Sequence, residues 1–368
     1  MKLHIFNPEH DMALASGKGF FTPPHAARKL RADLGFIPAL WADDGDMVLV
    51  DDVEAAIESV RHVKAFSAEV LFVTLADLQS LTKKDIEQLA ICPWGWDVAI
   101  IRQLTVANDA FVHVIPDTGL VDKIKRMSNR KFASENLLPY LRSLDDVFVG
   151  RSSYHTDLQS VERDIEANVR NVLKAPWSSS GRGLRYVEYS LEEPVTGWCR
   201  NVISRQGGLM VEPYYNKVLD FGMEFFAGDD NRVEYAGLSL FKTVNGAYAG
   251  SIIAAESEKM NMVSRYVSPC IIEKIKSGVV ERMPYILNGG YVGPFGIDLM
   301  VVSGISDSGF LIHPCVELNL RRTMGHVALS LPSGKTEPQR LMTIRYDGKY
   351  HLRISNTNEN LLNTSLAV

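Results

Sequence analysis

Residues 314–322 read PCVELNLRR, and TMG follows. Val316, Leu318 and Leu320 alternate with Glu317, Asn319 and Arg321, the period-two pattern of a strand that buries one face. Alternation of this kind is also what a half-buried sheet with a solvated outer face produces. An acid, an amide and a guanidinium in succession are, however, a row of hard oxygen donors with a cation behind them. Such a row suits a metal ion and a strongly anionic ligand.

The chain around this stretch is long enough for two or three domains, at 368 residues. Its first part alternates strands and helices. LHIF opens as a strand, PPHAARKLRADLG (23–35) has helical spacing, DMVLV (46–50) is a strand, DDVEAAIESVRHV (51–63) a helix and EVLFVT (69–74) a strand. DLQSLTKKDIEQLA (77–90) and WDVAIIRQLTVA (96–107) read as two more helices. This order implies a small open α/β domain with ligands near its strand ends. NPEHD (7–11) follows the first strand, where a dinucleotide-binding GxGxxG would belong, and that motif is missing. A helical stretch over 121–141 leads into a region of short strands. A helix at roughly 259–285 then precedes a late strand pair, PFGIDLMVV and GFLIHPCVELNL. TIRYDGKYHLRI (343–354) reads as a hairpin with an Asp-Gly turn, and the Asn-rich end as a loose tail.

Composition narrows the function classes. Net charge is −5 with no long basic block, which argues against nucleic acid or an anionic membrane as the main partner. Four scattered cysteines, with no CxxC pair, fit neither a disulfide framework nor a zinc site, and they suit a reducing cytoplasm. No apolar run approaches the ~20 residues of a membrane helix, and MKLHIFNPEHD does not read as a signal peptide. A cytoplasmic protein acting on small molecules is expected.

Two further stretches could carry chemistry. In NVLKAPWSSSGRGLRYV (171–187) a strand ends at Lys174, and a loop of three serines and two glycines, Ser178, Ser179, Ser180, Gly181, Arg182 and Gly183, leads to another strand. Small residues let backbone N–H groups converge on phosphate oxygens, with Lys174 and Arg182 adding charge. The loop is no Walker motif, since GxxxxGK[ST] is absent, and a plain Gly-Ser hairpin turn would read the same way. In LMVEPYYNKVLDFGMEF (209–225), Glu212 and Asp220 flank a short hinge, where they could accept hydrogen bonds from an exocyclic amine and from sugar hydroxyls, or could simply be exposed acids.

Taken in chain order, a lysine with a glycine-serine loop, an acid-flanked hinge, Asp298 in GPFGIDLMV and then VELNLR, the sequence resembles the ATP-grasp superfamily of carboxylate–amine ligases. The resemblance covers roughly residues 121–330. It implies an α/β leader domain followed by an α+β ATP-grasp fold, in which two subdomains clasp ATP between antiparallel sheets. The corresponding boundaries are 1–115 for the leader, 116–195 and 196–340 for the two subdomains, and 341–368 for hairpin and tail. Lys131 and Lys174 would hold the α- and β-phosphates, and Ser178–Gly183 would cover the β- and γ-phosphates. Glu212 would face adenine and Asp220 the ribose. Asp298, Glu317 and Asn319 would bind one or two Mg²⁺ (or Mn²⁺), and Arg321 would meet the transferred phosphoryl group, with Arg321 and Lys174 as the catalytic pair.

The implied activity is an ATP-dependent ligase that makes an acyl phosphate from a carboxylate and passes the acyl group to an amine. Its partners would be small-molecule acid and amine substrates, and a homo-oligomer is compatible with it. A kinase on the same fold or a non-catalytic nucleotide-binding scaffold are the rival readings. The substrate side is expected where the leader faces the nucleotide. His10 and Asp11 of NPEHD and Lys242 of FKTVNGAYAGS are candidate contacts, against structural or solvent-facing roles for each.

Overall fold

Short parallel strands and the helices between them form the N-terminal part of the computed structural model, which describes residues 1–178, 183–244, 247–304, 309–334 and 337–356. β1 (Lys2–Ile5), β2 (Met47–Leu49), β3 (Leu71–Val73) and β4 (Ala90–Pro93) make a parallel sheet in the order β3-β2-β1-β4. The order reverses at β1, so the ends of β1 and β4 flank the crevice where open α/β sheets take ligands. The sequence spacing suggested one helix over 77–90. Instead Thr74 and Thr82 each form a capping box with an acid three residues on, giving helices Leu75–Gln79 and Lys83–Glu87 and freeing β4. NPEHD likewise hides the start of a helix, His10–Ser16.

The helical stretch expected over 121–141 is three helices, Thr118–Met127, Arg130–Asn136 and Leu138–Arg142. Asn129 breaks the run, because its side chain accepts from the Lys131 N–H and restarts the helix there. The helix expected at 259–285 is Glu256–Val263 followed by Pro269–Leu287, with Pro269 opening the second.

β5 (Ser153–His155), β6 (Arg170–Lys174), β7 (Leu184–Glu188) and β8 (Leu209–Pro213) form a small antiparallel sheet, ordered β5-β8-β6-β7. The larger sheet holds β9 (Lys217–Ala227), β10 (Val233–Val244), β11 (Ala247–Ile253), β12 (Gly293–Ser303), β13 (Phe310–Asn319), β14 (Arg340–Tyr346) and β15 (Tyr350–Asn356). Its order is β13-β12-β9-β10-β11-β14-β15, all antiparallel. DVFVG (146–150) supplies only an isolated bridge, Phe148 to Ile312. The β14–β15 hairpin turns at Gly348, whose φ of 104° suits glycine.

Two apolar clusters hold the parts together. Phe221, Phe225 and Phe295 of the large sheet pack under the helix Pro269–Leu287. Phe6, Leu34 and Trp94 of the N-terminal part share a second core with Val327, Met342 and Leu352, so the late hairpin is packed onto the leader. Among the described residues no helix is long and apolar enough to cross a membrane.

Candidate functional site

One face of β9, β12 and β13 concentrates the polar groups. Asp298 lies directly across from Glu317 on one side and from Gly222 on the other. Side chains two residues apart share a face, so Asp220, Glu224 and Asn319 join Asp298 and Glu317, while Phe221, Met223 and Phe225 fill the core behind. The β12–β13 ladder shifts between Asp298 and Met300, where Met300 pairs with His313. Pro314, which has no N–H to give the ladder, sits in the displaced segment on this edge strand.

The contacts on this face are close. Asn319 Nδ2 donates to Asp298 Oδ2 at 3.4 Å, and Asn319 Oδ1 accepts from Arg321 Nη2 at 2.9 Å. Arg321 Nε donates to Asp11 Oδ2 at 3.0 Å. Glu317 Oε1 accepts from Arg130 Nη2 at 2.6 Å. Glu224 is buried, accepting from Thr323 Oγ1 at 2.8 Å and lying 3.0 Å from His326 Nδ1. A Cβ on Gly296 or Gly325 would fall 2.5 or 1.9 Å from the Glu224 carboxylate, so these glycines make room for it.

The small sheet brings the second set. Lys174 and Glu212 form a buried ion pair at 2.5 Å, and Ser152 Oγ donates to Glu212 Oε1 at 2.9 Å. Arg130, at the start of its helix, donates to Ala175 O and Ser178 Oγ, each at 2.7 Å, as well as to Glu317. One guanidinium thus ties the root of the glycine-serine loop to an acid of the large sheet. A Cβ on Gly183 would fall 2.2 Å from Ser178 Oγ, so the two ends of that loop touch.

The electrostatics record how close these groups stand. Burial, then the charges of Glu317 and Glu224, push the Asp298 carboxyl well above the ordinary carboxylate range. Burial pushes the Cys315 thiol up, with Asp298, Glu212 and Glu317 adding to it, so both sheets contribute charge at this point. Burial holds His313 down to about 4, with Glu212 opposing and Lys174 assisting. At Asp11 burial acts upward, yet Arg321, His10 and Arg130 outweigh it and hold the carboxyl below its usual value.

Among the described residues no three His, Cys, Asp or Glu side chains group tightly enough to hold a metal by themselves. Two carboxylates and an amide oxygen are a smaller set, suited to Mg²⁺, which keeps waters and leans on substrate phosphates. Glu317 already has Arg130 as a partner, whereas the Asp298 carboxyl beside it is raised by burial and by its acidic neighbours, a charge that a bound cation would offset, so this donor set fits the ion.

The structure therefore brings together Asp298, Glu317, Asn319 and Arg321, joins Asp11 to them, and places the Lys174–Glu212 pair close by. Asp220 shares the face, where Lys217 Nζ donates to it at 2.6 Å. Ser178 and Gly183 meet at the base of the loop, while Ser179, Ser180, Gly181 and Arg182 lie outside the described residues. His10 is buried one residue from Asp11, with Nδ1 3.2 Å from Asp97 Oδ2. Two candidates point elsewhere. Lys131 lies over the Tyr154 ring at 4.7 Å and 3.8 Å from Glu135, and it is the preceding Arg130 that reaches Glu317. Lys242 is exposed and shares the parity of Leu240, whose partner Phe221 belongs to the opposite face of β9. Sequence reasoning missed Arg130 and Glu224. Glu224 was visible in LDFGMEFF, where Asp220, Gly222 and Glu224 alternate with large apolar residues. Arg130 needed the Asn129 cap, which sets the phase of its helix.

No protein-family model and no curated protein matches the chain. Solved structures do resemble it. The biotin carboxylase domain of 2-oxoglutarate carboxylase from Hydrogenobacter thermophilus, in complex with MgADP, ADP and bicarbonate, matches with a TM-score of 0.52 at 16% identity, over 93% of this chain and 74% of that one. N5-carboxyaminoimidazole synthetase from Staphylococcus aureus, complexed with ADP, gives 0.48 at 13% identity, over 99% and 94%. A putative ATP-grasp superfamily protein from Archaeoglobus fulgidus gives 0.47 at 14% identity, over 97% and 100%. The first of these carries the likeness, which is one of fold.

Proposed function

Because the chain has the ATP-grasp fold, we propose that it is an ATP- and Mg²⁺-dependent ligase, which activates a substrate carboxylate as an acyl phosphate for attack by an amine and releases ADP and phosphate. The observation that carries this reading is the pairing of Asp298 with Glu317 across β12 and β13, with Asn319 and Arg321 beside them. A fold-preserving scaffold has no need to keep two carboxylates forced together.

In this reading Asp298, Glu317 and Asn319 hold Mg²⁺, whose chemistry is to neutralise the charge that gathers on the transferred phosphoryl oxygens. Lys174 and Arg130 meet the phosphates, Arg130 taking the place that the sequence assigned to Lys131. Ser178 to Gly183 cover them. Glu212 faces the adenine end and holds Lys174 in place, and Asp220 faces the ribose. Arg321, fixed between Asp11 and Asn319, presents its charge to the acyl phosphate. The task is electrostatic and positional, so no protein nucleophile is required.

The test is ADP release from Mg·ATP with pooled small carboxylic acids and amines, together with trapping of the acyl phosphate by hydroxylamine. Release that needs both an acid and an amine supports the ligase. Release with an alcohol and no acid would assign a kinase instead. Tight Mg·ATP binding with no turnover in any mixture would refute both.

A further inference from the structure

A cavity of about 840 Å³ opens at the crevice end of the parallel sheet, between the segment that follows helix His10–Ser16 and the helix Val98–Ala107. Its size is that of a small-molecule site. The charges in its wall are unevenly spread. At the floor stand Glu9 and Asp97. Glu9 is 6% exposed, its Oε1 accepts from Arg31 Nη1 at 2.8 Å, and its buried Oε2 has no partner among the described residues. Arg31 Nη2 also donates to Gln103 Oε1 at 2.8 Å. Asp97 is occupied as the cap of helix Val98–Ala107 and by Asn7 and His10. The floor thus carries two carboxylates against one guanidinium, and a buried acceptor oxygen waiting for a donor, which costs free energy while unmade.

The rim is mostly basic, with Arg28, Lys29 and Arg102 against the exposed Asp51, and Lys29 lies 3.7 Å from Asp33. Arg28 and Arg102 line the cavity, and neither has a carboxylate partner among the described residues. The Arg102 guanidinium is held over the Phe20 ring, 3.4 Å from its centroid. Phe21, Ile100 and Val106 supply apolar wall between rim and floor.

We infer that this cavity binds a zwitterionic amine, an α-amino acid or short peptide with an apolar side chain, its ammonium on Glu9 and its carboxylate on Arg28 and Arg102. An ammonium supplies the N–H that Glu9 Oε2 lacks and offsets the floor charge, and a carboxylate takes the fork of a rim guanidinium. The assignment rests on the ligase reading for its role, that of acceptor. Glu9 is the N-cap residue of the helix whose Asp11 grips Arg321, although neither Asp11 nor Arg321 lines the cavity itself.

The experiment is calorimetric titration of the full chain, with Mg·ADP present, using leucine, methionine and phenylalanine singly. 3-Methylbutylamine and 4-methylpentanoate serve as leucine lacking one charge each. Leucine is expected to bind at least about tenfold more tightly than either analogue, the scale of one lost charge-assisted hydrogen bond. Glu9→Gln should abolish the preference over 4-methylpentanoate, and Arg102→Gln, which leaves Arg28, should reduce the preference over 3-methylbutylamine. Glu9→Gln also loosens Arg31, so Arg102→Gln, on the rim, keeps the test decisive if the first variant unfolds. Failure of all three amino acids to bind, or equal binding of leucine by wild type and a folded variant, overturns the site. Leucine binding with no ADP release in any acid–amine mixture would sink the ligase reading and leave the site standing. ADP release indifferent to both variants would do the reverse.

Discussion

Lys174 and Glu212 are buried on both sides, and their charged atoms are 2.5 Å apart. At an effective dielectric constant of roughly 20, that separation corresponds to an attraction of about 7 kcal/mol. Withdrawing two ions from water costs several kcal/mol each and offsets most of it. Truncating one partner is different, because the other charge stays buried and unpaired. Lys174→Met and Glu212→Met should each destabilise the small sheet by about 3–5 kcal/mol. Lys174→Met should fall at the lower end, since Ser152 Oγ still donates to Glu212. The double variant leaves neither ion stranded, and the cycle should return a coupling of about 2 kcal/mol or more. A chain with several cores need not unfold in one step, so the measurement is hydrogen exchange of the β6 and β8 amides, which reads opening of this sheet alone. In the ligase reading all three variants lose Mg·ATP turnover, so a stable but inactive double variant separates the pair's structural part from its catalytic one. Additive losses, with coupling under about 0.5 kcal/mol, would refute the partnership.

Glu317→Gln should leave the melting temperature near that of wild type while turnover falls by about a hundredfold or more; full activity would remove the metal assignment. Burial holds His313 neutral, with its pKa at about 4 against the ordinary 6.5. The unfolded chain therefore takes up the proton first, and stability present above pH 6.5 is lost as pH falls toward 4, by about 3 kcal/mol in all. Urea midpoints across that window should fall less steeply for His313→Leu, and an unchanged slope would count against the assignment. Gly325→Ala puts a Cβ 1.9 Å from Glu224 Oε1 and should cost about 1–3 kcal/mol by displacing that carboxylate from Thr323, read as a shift in urea midpoint; a variant as stable as wild type would contradict the packing.

Much of the site was legible because it is written on strands. Period-two alternation needs no tertiary knowledge, and it put Glu317, Asn319 and Arg321 on one polar face before any coordinates existed, while Asp298 came from the resemblance. The helical parts were less legible. Apolar spacing ran through 77–90 and 121–141, but local side-chain caps at Thr74, Thr82 and Asn129 cut those stretches, and a cap outweighs a weak periodic signal over one or two turns. The same mechanism moved the cationic contact from Lys131 to Arg130, because a one-residue change of helical phase turns a side chain by about 100°. For the cavity beneath Arg28 and Arg102, the strand-end position of NPEHD was legible, but its walls were not. Glu9, Arg31 and Gln103 are far apart in sequence, and only the folded sheet makes them one floor.

Arg321 is where the first and last thirds of the chain act on each other. Its Nε is spent on Asp11, at the start of the first helix, and its Nη2 on the Asn319 amide oxygen. That second bond fixes which way the amide faces, leaving Nδ2 to Asp298 and one lone pair of Oδ1 free for a cation. A displacement of the N-terminal part would therefore be felt first as a loss of the Asp11 contact, then as rotation of the Asn319 amide, the oxygen that the ligase reading gives to the metal. Lysine at position 321 could not reproduce this, since a single ammonium lacks the planar fork that serves two acceptors at fixed angles. The guanidinium thus makes the geometry of the oxygen donors conditional on where the leader sits, and the leader is the part that carries the amine-shaped cavity. In the ligase reading, acceptor occupancy that shifted Asp11 would change metal affinity through this side chain, with a reciprocal effect of equal size on the acceptor. Mg²⁺ titrations that are the same with and without leucine would refute the coupling.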